Sequence, residues 1–384
     1  MRYAIVSETY PPEVNGVALT VQGLEQGLRA RGHQVQLVRP GRGDEAPPPQ
    51  TPATLTVRGA DLPLYPGLRF GLPTPGQLRR QWRESPPDAI YVATEGPLGW
   101  SALRAAHALG IPAATGLHTR FDRYMADYGL PWLQPVALRW MRRFHNAGQA
   151  TLVPTRELAA WLQARGFARV RRLARAVDTA QFHPRHRDLQ LRAQWGAGTA
   201  TPVAIHVGRI AAEKNLPLAV RAFRALQQRR PDARMVWVGD GPERAALAQA
   251  NPDFVFCGIQ RELELARHFA SADLFLFPSR SETFGNVTLE AMASGLATVA
   301  FDTGAAREHL RHGLHGAAVG DEHAFIDAAM VLGCEADLRR DCGQAAHQAV
   351  QALQPAQVAA DFDALLQELA RRHRSTRDEY AAAA

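Results

Sequence analysis

The stretch Val203-Ala-Ile-His-Val-Gly208-Arg209-Ile-Ala-Ala-Glu-Lys214-Asn215 connects a short apolar run to a longer amphipathic segment. The run Val203–Val207 is apolar apart from one histidine and predicts a buried strand. The segment Leu216–Arg229 carries apolar residues at helical spacing and predicts a helix. A strand that ends in a polar turn and continues as a helix is the repeating unit of a parallel α/β sheet.

The same succession recurs along both halves of the chain. In the second half, further strands are predicted at Met235–Val238, Phe254–Cys257, Leu274–Phe277 and Thr298–Phe301. Helices are predicted between them at Glu243–Ala250, Glu262–Ala270 and Val287–Ser294. In the first half, we predict a helix at Leu19–Arg31 and strands at Tyr3–Ser7, Val35–Val38, Ala89–Val92 and Ala113–Gly116. Two such series indicate an α/β protein with two Rossmann-like, doubly wound parallel-sheet domains.

Length and composition agree with two globular domains. The chain has 384 residues, of which 46% are hydrophobic and 21% charged, and this mixture excludes a disordered protein. The net charge of +7 is basic, but no recognised DNA- or RNA-binding motif accompanies it, so we do not expect a nucleic-acid partner. Lys214 is the only lysine in the chain, and every other basic side chain apart from histidine is arginine.

The sequence predicts a protein of a reducing compartment. The three cysteines have no zinc-site spacing and cannot form a disulfide framework. The apolar start is too short for a signal peptide, and no run of 18 apolar residues could span a bilayer. We therefore expect a cytoplasmic protein that binds peripherally to the inner face of the cytoplasmic membrane.

Arg209 and Lys214 flank the turn after the strand Val203–Val207. A planar guanidinium and a compact ammonium five residues apart can converge on one anion, and such a pair suits a diphosphate. The alternative is that both cations simply face solvent. The position of the chain's only lysine in this turn favours the specific role.

A second constellation runs from Phe277 to Gly295, following a predicted strand and opening a predicted helix. Asn286 is a candidate N-cap, and the amides of residues 285–288 would then be available to an anion. Glu282 lies in the loop and Glu290 one turn into the helix, so their carboxylates can accept hydrogen bonds from two sets of sugar hydroxyls. The alternative is a solvated helix face.

Taken together, these motifs resemble the retaining GT-B glycosyltransferases, in particular glycosyltransferase family 4, over nearly the whole chain. The quoted matches are Glu8-Thr-Tyr-Pro-Pro-Glu-Val-Asn15-Gly16-Val17, Leu117-His118-Thr119-Arg120-Phe121, Ala176-Val177-Asp178, Gly208–Asn215, Val238-Gly239-Asp240-Gly241-Pro242 and the Glu282/Glu290 pair. The subgroup that the chain resembles most transfers mannose or a related hexose to lipid-type acceptors. The resemblance implies that the two domains face each other across a cleft.

The resemblance also implies roles for individual residues. Glu290 would hold the ribose hydroxyls of a nucleotide diphosphate sugar and Glu282 the hydroxyls of the transferred sugar, while Arg209 and Lys214 would neutralise the leaving diphosphate. Gly16 would let the backbone approach that phosphate. The remaining donor-binding residues would be Gly208, Phe284, Gly285, Asn286 and Val287.

His118 would lie beside the anomeric carbon and the outer hydroxyls of the sugar. Considered alone, His118 is better interpreted as a buried structural histidine, but the flanking His-Thr-x-Phe pattern reverses this and favours the role in the site.

We expect no cofactor and no metal ion, because fixed cations would replace a metal at the diphosphate. The only Asp-x-Asp is Asp361-Phe362-Asp363, inside the predicted amphipathic helix Ala359–Arg372, where a polar helix face is the simpler interpretation. Gly239-Asp240-Gly241 lacks the third glycine of the dinucleotide fingerprint.

The acceptor is indicated less directly. Between Arg139 and Arg192 the chain has 12 arginines against three acidic residues, and Arg139, Arg142 and Arg143 accompany an aromatic, amphipathic segment. Such a helix suits an anionic membrane surface, although its apolar stripe could instead be core and its arginines solvated. The segment Leu62–Trp82 could line an apolar acceptor channel or form a long loop.

We expect residues 1–180 and a C-terminal helix, 359–384, to form the domain on the acceptor side. Residues 181–358 would form the nucleotide-sugar-binding domain, with the hinge near Asp178–Gly198. The predicted activity is transfer of a hexose to a membrane-associated lipid or glycolipid. The alternatives are a soluble or polysaccharide acceptor, or a non-catalytic protein that binds nucleotide sugars. Whether the donor base is guanine or uracil stays open.

Overall fold

The structure is a computed structural model that describes residues 1–13, 15–41, 54–61, 69–120, 131–280 and 282–382. Several predicted features lie outside the described residues, namely Val14, the segment 62–68, Phe121 and Ser281. The described residues divide into two compact units. The first includes residues from Met1–Asp122, Trp132–Ala174 and Pro355–Ala384, and the second includes Arg175–Gln354.

The first unit contains a parallel seven-stranded sheet. Its strands are β1 (Arg2–Val6), β2 (Gln34–Pro40), β3 (Thr54–Val57), β6 (Ala89–Val92), β7 (Ala113–Gly116), β8 (Ala150–Val153) and β9 (Val170–Arg172). They pair in the order β3-β2-β1-β6-β7-β8-β9. A short antiparallel hairpin, β4 (Gly59–Asp61) and β5 (Arg69–Gly71), accompanies this sheet.

Helices cover both faces of the first sheet. They are α1 (Gly16–Ala30), α2 (Pro75–Glu84), α3 (Pro97–Leu109), α4 (Gln134–Asn146), α5 (Arg156–Gln163) and, far along the chain, α14 (Pro355–Ala382). Because side chains alternate along a strand, Tyr3 and Ile5 pack with α1 and α14, whereas Ala4 and Val6 pack with α2 and α3.

The second unit contains a parallel six-stranded sheet. Its strands are β10 (Val203–Val207), β11 (Arg234–Val238), β12 (Val255–Phe256), β13 (Leu274–Phe277), β14 (Ala297–Phe301) and β15 (Gly316–Val319). Its helices are α6 (Leu189–Gln194), α7 (Leu216–Arg229), α8 (Arg244–Ala250), α9 (Glu262–Ser271), α10 (Asn286–Ala293), α11 (Gly304–His309), α12 (Glu322–Cys334) and α13 (Ala336–Val350). The strand order β12-β11-β10-β13-β14-β15 is that of dinucleotide-binding domains.

The predicted fold class, two parallel α/β sheets covered by helices, is therefore confirmed. Four predicted strands and the helix α7 have the bounds expected from the sequence: β6, β7, β10 and β13. The prediction omitted β3, β4, β5, β8, β9 and β15, and it placed the start of α1 at Leu19 rather than Gly16. In the part of the chain that the structure describes, every helix is too short or too polar to span a bilayer.

The segment 178–198, where we expected the hinge, is a packed part of the second unit. It contains α6, and the Arg192 side chain is only 1% exposed. Arg192 donates hydrogen bonds to the Ser271 carbonyl at 2.7 Å and to the Asp273 carboxylate at 3.0 Å. A buried guanidinium with these partners fixes the segment against α9 and β13.

The Asp-x-Asp in α14 has a structural role. Asp363 is 1% exposed and accepts a hydrogen bond from the Tyr3 hydroxyl at 2.9 Å and from Arg31 Nε at 2.9 Å. Burial by itself raises the pKa of Asp363, but its hydrogen bonds outweigh burial and hold it at about 2. The simpler interpretation, a polar helix face, is thus wrong for Asp363, which attaches α14 to β1 and α1.

Candidate active site

The predicted donor-site residues of the second unit follow β10 and β13. These strands are neighbours, and the strand order reverses between them. In open α/β sheets, the carboxyl ends of the strands on either side of such a reversal form a crevice that binds ligands. The loop after β10 carries Arg209 and Lys214, and the loop after β13 carries Glu282.

Lys214 and Glu282 form an ion pair. The Lys214 ammonium donates to Glu282 Oε1, and the Ser279 hydroxyl donates to the same oxygen at 3.1 Å. The two charged side chains are 20% and 19% exposed. Burial by itself raises the pKa of Glu282, but the charge and hydrogen bond of Lys214 outweigh burial, so the pKa lies below its ordinary value. Glu282 is therefore ionised at neutral pH and can accept hydrogen bonds.

Arg209 pairs with a different carboxylate. Its Nη1 lies 3.5 Å from Glu213 Oε1, one turn further along the chain, and the Arg209 side chain is 39% exposed. The structure thus places both predicted cations in the loop after β10, where Arg209 pairs with Glu213 and Lys214 pairs with Glu282.

His206 lies on β10 beside this ion pair and was not predicted as a site residue. It is fully buried, and its Nδ1 donates to the Leu276 carbonyl at 3.1 Å. Burial lowers the pKa of His206 to about 4, with a smaller contribution from the charge of Lys214. The ring is therefore neutral, with its hydrogen on Nδ1. The signal in the sequence was a single polar residue in an otherwise apolar strand next to the Gly208-Arg209 turn.

Backbone packing shapes the loop after β10. A Cβ atom on Gly239 would lie 1.9 Å from the Gly208 carbonyl oxygen, and Gly239 has φ +136°. The Ile210 amide donates to the Asp240 carbonyl at 2.9 Å, which joins the two loops. The glycines of the Val238–Pro242 motif are thus required for loop packing, because only a residue without a side chain allows this approach.

The loop after β13 leads into α10. Gly285, with φ +86°, is the N-cap of this helix, so the prediction of Asn286 as N-cap is wrong by one residue. The Thr288 amide donates to the Gly285 carbonyl at 3.0 Å and is not available to a ligand. Phe284 is buried, with its ring centroid 6.1 Å from that of His309. The predicted anion site at this helix end reduces to the amides of residues 285–287.

Glu290 is half-buried on α10 and differs sharply from Glu282. Burial raises its pKa to about 7. Within the described ranges, no cation pairs with Glu290. A carboxylate that is partly desolvated and has no counter-ion is suited to accept hydrogen bonds from neutral hydroxyl groups.

His118, in the first unit, is half-buried after β7. Its Nε2 lies 2.8 Å from the Tyr91 hydroxyl. A Cβ atom on Gly116 would lie 2.0 Å from that hydroxyl and 2.7 Å from His118 Nε2, so the contact requires glycine at 116. The Tyr91 ring packs edge-on against Phe362 at a centroid distance of 4.9 Å. Tyr91 therefore orients the imidazole, and sequence reasoning did not identify it.

Gly16 is the first residue of α1. Asn15 is the N-cap: its Oδ1 accepts from the Ala18 amide at 2.8 Å, and its Nδ2 donates to Thr9 Oγ1 at 2.7 Å. Gly16 is exposed at this helix end. The quoted Asn15-Gly16 pair thus forms a capped helix start, which the sequence prediction had placed later.

Two buried glutamates of the first unit contact α3 and α4, and the sequence did not predict these contacts. Glu8 accepts from the Leu98 amide at 2.9 Å at the start of α3, and burial raises its pKa to about 7. Glu95 lies 3.1 Å from Nε2 of the buried His145, whose Nδ1 lies 2.8 Å from the Thr115 hydroxyl. These groups hold the helix ends around β6.

Helix α4 carries the arginines that we expected at a membrane. Its core-facing side chains are Met141, Phe144 and His145, all fully buried. Arg139, Arg142 and Arg143 are exposed. The apolar side chains that we predicted along this helix are therefore not all core. Some are buried, whereas Val136 and Trp140 are exposed.

No group of three histidine, cysteine, aspartate or glutamate side chains in the described part of the chain is arranged to hold a metal ion.

Comparison with known proteins covers both units. Residues 14–181 match the model of Glycosyltransferase Family 4, and residues 201–333 match Glycosyl transferases group 1. The chain is 34% identical over 345 residues to a GDP-mannose-dependent alpha-mannosyltransferase of Mycobacterium tuberculosis, covering 86% of this chain and 88% of the relative.

Two further proteins extend this likeness. A GDP-mannose-dependent alpha-(1-6)-phosphatidylinositol dimannoside mannosyltransferase of Mycobacterium tuberculosis is 30% identical over 317 residues, covering 80% of this chain and 81% of that protein. The structure of sucrose-phosphate synthase from Thermosynechococcus elongatus superposes with a TM-score of 0.78 at 19% identity, covering 96% of this chain and 98% of that chain. This last likeness shows the fold.

Proposed function

Because the chain belongs to glycosyltransferase family 4, we propose that it moves a hexose from a nucleotide diphosphate sugar to a lipid or glycolipid acceptor. The observation that carries this proposal is the Lys214–Glu282 ion pair at the strand-order reversal, with Arg209 in the same loop. The two mannosyltransferases described above support mannose as the hexose and guanine as the base, with glucose and uracil as alternatives.

The charges suit a departing diphosphate. Negative charge grows on the leaving group in the transition state, and cations already in place stabilise that charge without reorganisation of water. We assign this role to Arg209 and Lys214. When the diphosphate draws Lys214 away from Glu282, the Glu282 carboxylate becomes free to accept hydrogen bonds from the hydroxyls of the transferred sugar.

The remaining donor contacts follow from the site. Glu290 would accept hydrogen bonds from the ribose hydroxyls, and the amides around Gly285–Val287 would donate to a phosphate, beside Gly208 and Phe284. For Gly16 and His118 of the first unit, we propose contacts with the diphosphate and with the transferred sugar, respectively. We propose that the two cations at the leaving group take the place of a metal ion, and, from the resemblance to the retaining enzymes of family 4, that the reaction retains the anomeric configuration.

We also propose that the protein acts in the cytoplasm, peripherally bound to an anionic membrane. The support is the exposed arginines of α4 and the phosphatidylinositol dimannoside for which one relative is named. Anionic lipid attracts such residues with about 1 kcal/mol per cation near the surface.

The test begins with a thermal-shift screen of GDP- and UDP-sugars. A ligand at one hundred times its Kd adds about 2.7 kcal/mol to the free energy of unfolding, so the correct donor should raise the Tm clearly. The stabilising donor is then incubated with a lipid extract, and both nucleotide release and the anomeric configuration of the product are measured. Binding without nucleotide release would indicate a non-catalytic binder, and transfer only to soluble acceptors would contradict the lipid proposal.

A further inference from the structure

The first unit contains an apolar cavity of about 400 Å³ beside the start of α3. Its walls are mostly proline and tryptophan: Pro73, Pro75, Pro97, Trp100 and Trp140. Two polar side chains in its wall, Ser101 and Glu95, already have partners within the protein. The Ser101 hydroxyl donates to the Pro97 carbonyl at 2.8 Å, and the Glu95 carboxylate lies 3.1 Å from His145 Nε2. The cavity therefore offers a ligand mainly apolar contact.

The aromatic wall has a fixed shape. The rings of Trp100 and Trp140 lie with centroids 5.3 Å apart, and Trp140 Nε1 donates to the Glu95 carbonyl at 3.2 Å. This hydrogen bond fixes the indole of Trp140, although that side chain is 39% exposed. A pocket of this size with mostly apolar walls and few polar groups has the usual character of a small-molecule site.

An exposed apolar row leads to the cavity. Trp132, Val136 and Trp140 follow one another at intervals of four residues, which places them on one side of α4 and the turn before it. They are 70%, 55% and 39% exposed, respectively. The row ends at Trp140, which is also a wall of the cavity, so the exposed apolar surface is continuous with the pocket.

Cations surround the same region. Arg104 lines the cavity, and the guanidinium of Arg143 lies 5.7 Å from the centroid of the Trp100 ring. Both side chains are exposed, and neither forms an ion pair with a carboxylate among the residues that the structure describes. Unbalanced positive charge next to an apolar pocket is complementary to a ligand with an anionic head and an apolar tail.

We propose that this cavity binds one alkyl chain of an anionic lipid, with the charged head at Arg104 and Arg143. The inference rests on the proposed lipid acceptor and adds that the protein recognises the chain itself, not only the head group. The lipid could be the acceptor or a neighbouring lipid of the membrane, and both sources share this chemistry.

The test uses alkyl phosphates as probes, below their critical micelle concentrations and without a nucleotide sugar. Burying one methylene group strengthens binding about fourfold, so octyl phosphate should bind about 200-fold more tightly than butyl phosphate in calorimetric titrations. Trp140→Gln should remove most of this difference, because it replaces an apolar wall with an amide. Equal affinities of the two probes for the wild-type protein would overturn the proposal.

Three further variants keep the result interpretable. Trp132→Gln is the matched control, because Trp132 lies in the exposed row but does not line the cavity, so the chain-length effect should persist. Arg104→Gln should weaken octyl phosphate but not octanol. If Trp140→Gln is unfolded by circular dichroism, Trp140→Phe replaces it and should weaken octyl phosphate more than butyl phosphate. Loss of the chain-length effect in Trp132→Gln would contradict the assignment.

Competition then identifies the source of the lipid. If octyl phosphate inhibits transfer competitively with respect to the acceptor, the cavity is a subsite for the acceptor. If octyl phosphate releases the protein from anionic vesicles but does not inhibit transfer, the cavity is a site for a membrane lipid. Because the titrations need no turnover, failure of the alkyl-chain site and failure of the proposed transferase activity give separate results.

Discussion

Replacing Lys214 with methionine removes one charge from the candidate site and keeps the length of the side chain. If the ammonium neutralises the leaving diphosphate, its loss should raise the activation barrier by about 2.7–4 kcal/mol, which lowers kcat about 100- to 1,000-fold. Donor affinity should change much less, because the diphosphate carries more charge in the transition state than in the bound donor. Lys214→Arg should restore only part of the rate, since a planar fork does not reproduce a point charge.

The ion pair predicts a second effect of the same substitution. Exposed ion pairs contribute about 0–1 kcal/mol, whereas breaking a buried pair costs about 3–5 kcal/mol. Lys214 and Glu282 are 20% and 19% exposed, so we expect a loss of about 2 kcal/mol in the free energy of unfolding. Without Lys214, burial raises the pKa of Glu282, and the double variant Lys214→Met/Glu282→Gln should regain part of the lost stability.

Single-turnover kinetics and calorimetric donor binding, measured on the same protein, separate these effects. Arg221→Met is the matched control, because Arg221 pairs with Glu322 at an exposed site where the side chains are 55% and 43% exposed. That variant should retain kcat and lose at most about 1 kcal/mol of stability. A near wild-type kcat in Lys214→Met would refute the leaving-group role. A loss confined to donor affinity would assign Lys214 to ground-state binding instead.

Three further predictions concern the metal, the donor and the membrane. EDTA should leave turnover unchanged, and complete loss restored by Mg²⁺ or Mn²⁺ would contradict the metal-free proposal. Burial raises the pKa of Glu290 to about 7, and the ionised form accepts the ribose hydroxyls, so the affinity for the nucleotide sugar should rise with pH by up to about tenfold per unit below pH 7 and level off above it. In calorimetric titrations, Glu290→Gln should remove this pH dependence. A wild-type affinity that does not change with pH would count against this role of Glu290. The triple substitution of Arg139, Arg142 and Arg143 by glutamine should reduce co-sedimentation with anionic vesicles but leave donor hydrolysis unchanged. Binding of the wild-type protein to these vesicles should weaken as the Debye length falls from about 10 Å at 0.1 M salt to about 3 Å at 1 M. Equal binding of the wild-type protein to neutral vesicles would indicate that these arginines are simply solvated.

Several strands buried on both faces were predictable from the sequence, because they appear as short apolar runs, although the equally buried β8 was missed. β10 and β13 have the predicted bounds for this reason. The edge strand β9 and the alanine-rich β15 escaped prediction, since neither Val170–Arg172 nor Gly316–Val319 stands out by hydrophobicity. The start of α1 was misplaced because its first turn carries few core side chains, and only the Asn15 cap marks it.

The candidate site was predictable to the extent that charged residues mark it. The loops containing Arg209, Lys214 and Glu282 lie at neighbouring strands of one sheet, as parallel topology requires. The direct contact of Lys214 with Glu282 was not predictable, because 68 residues separate them in the chain. Tyr91 was equally hidden, since its role comes from a glycine on the adjacent strand that leaves room for its hydroxyl.

The return of α14 to the first unit has a consequence for biosynthesis. Phe362 and Leu366 are fully buried against β1 and α1, yet they follow the whole second unit in the chain. During synthesis, Arg175–Gln354 of the second unit therefore emerge from the ribosome in one continuous segment. The first unit cannot complete its core until α14 has been synthesised. A nascent chain that stops before residue 355 presents an unfilled apolar face around Tyr3 and Tyr91, and chaperones would recognise that face until α14 emerges.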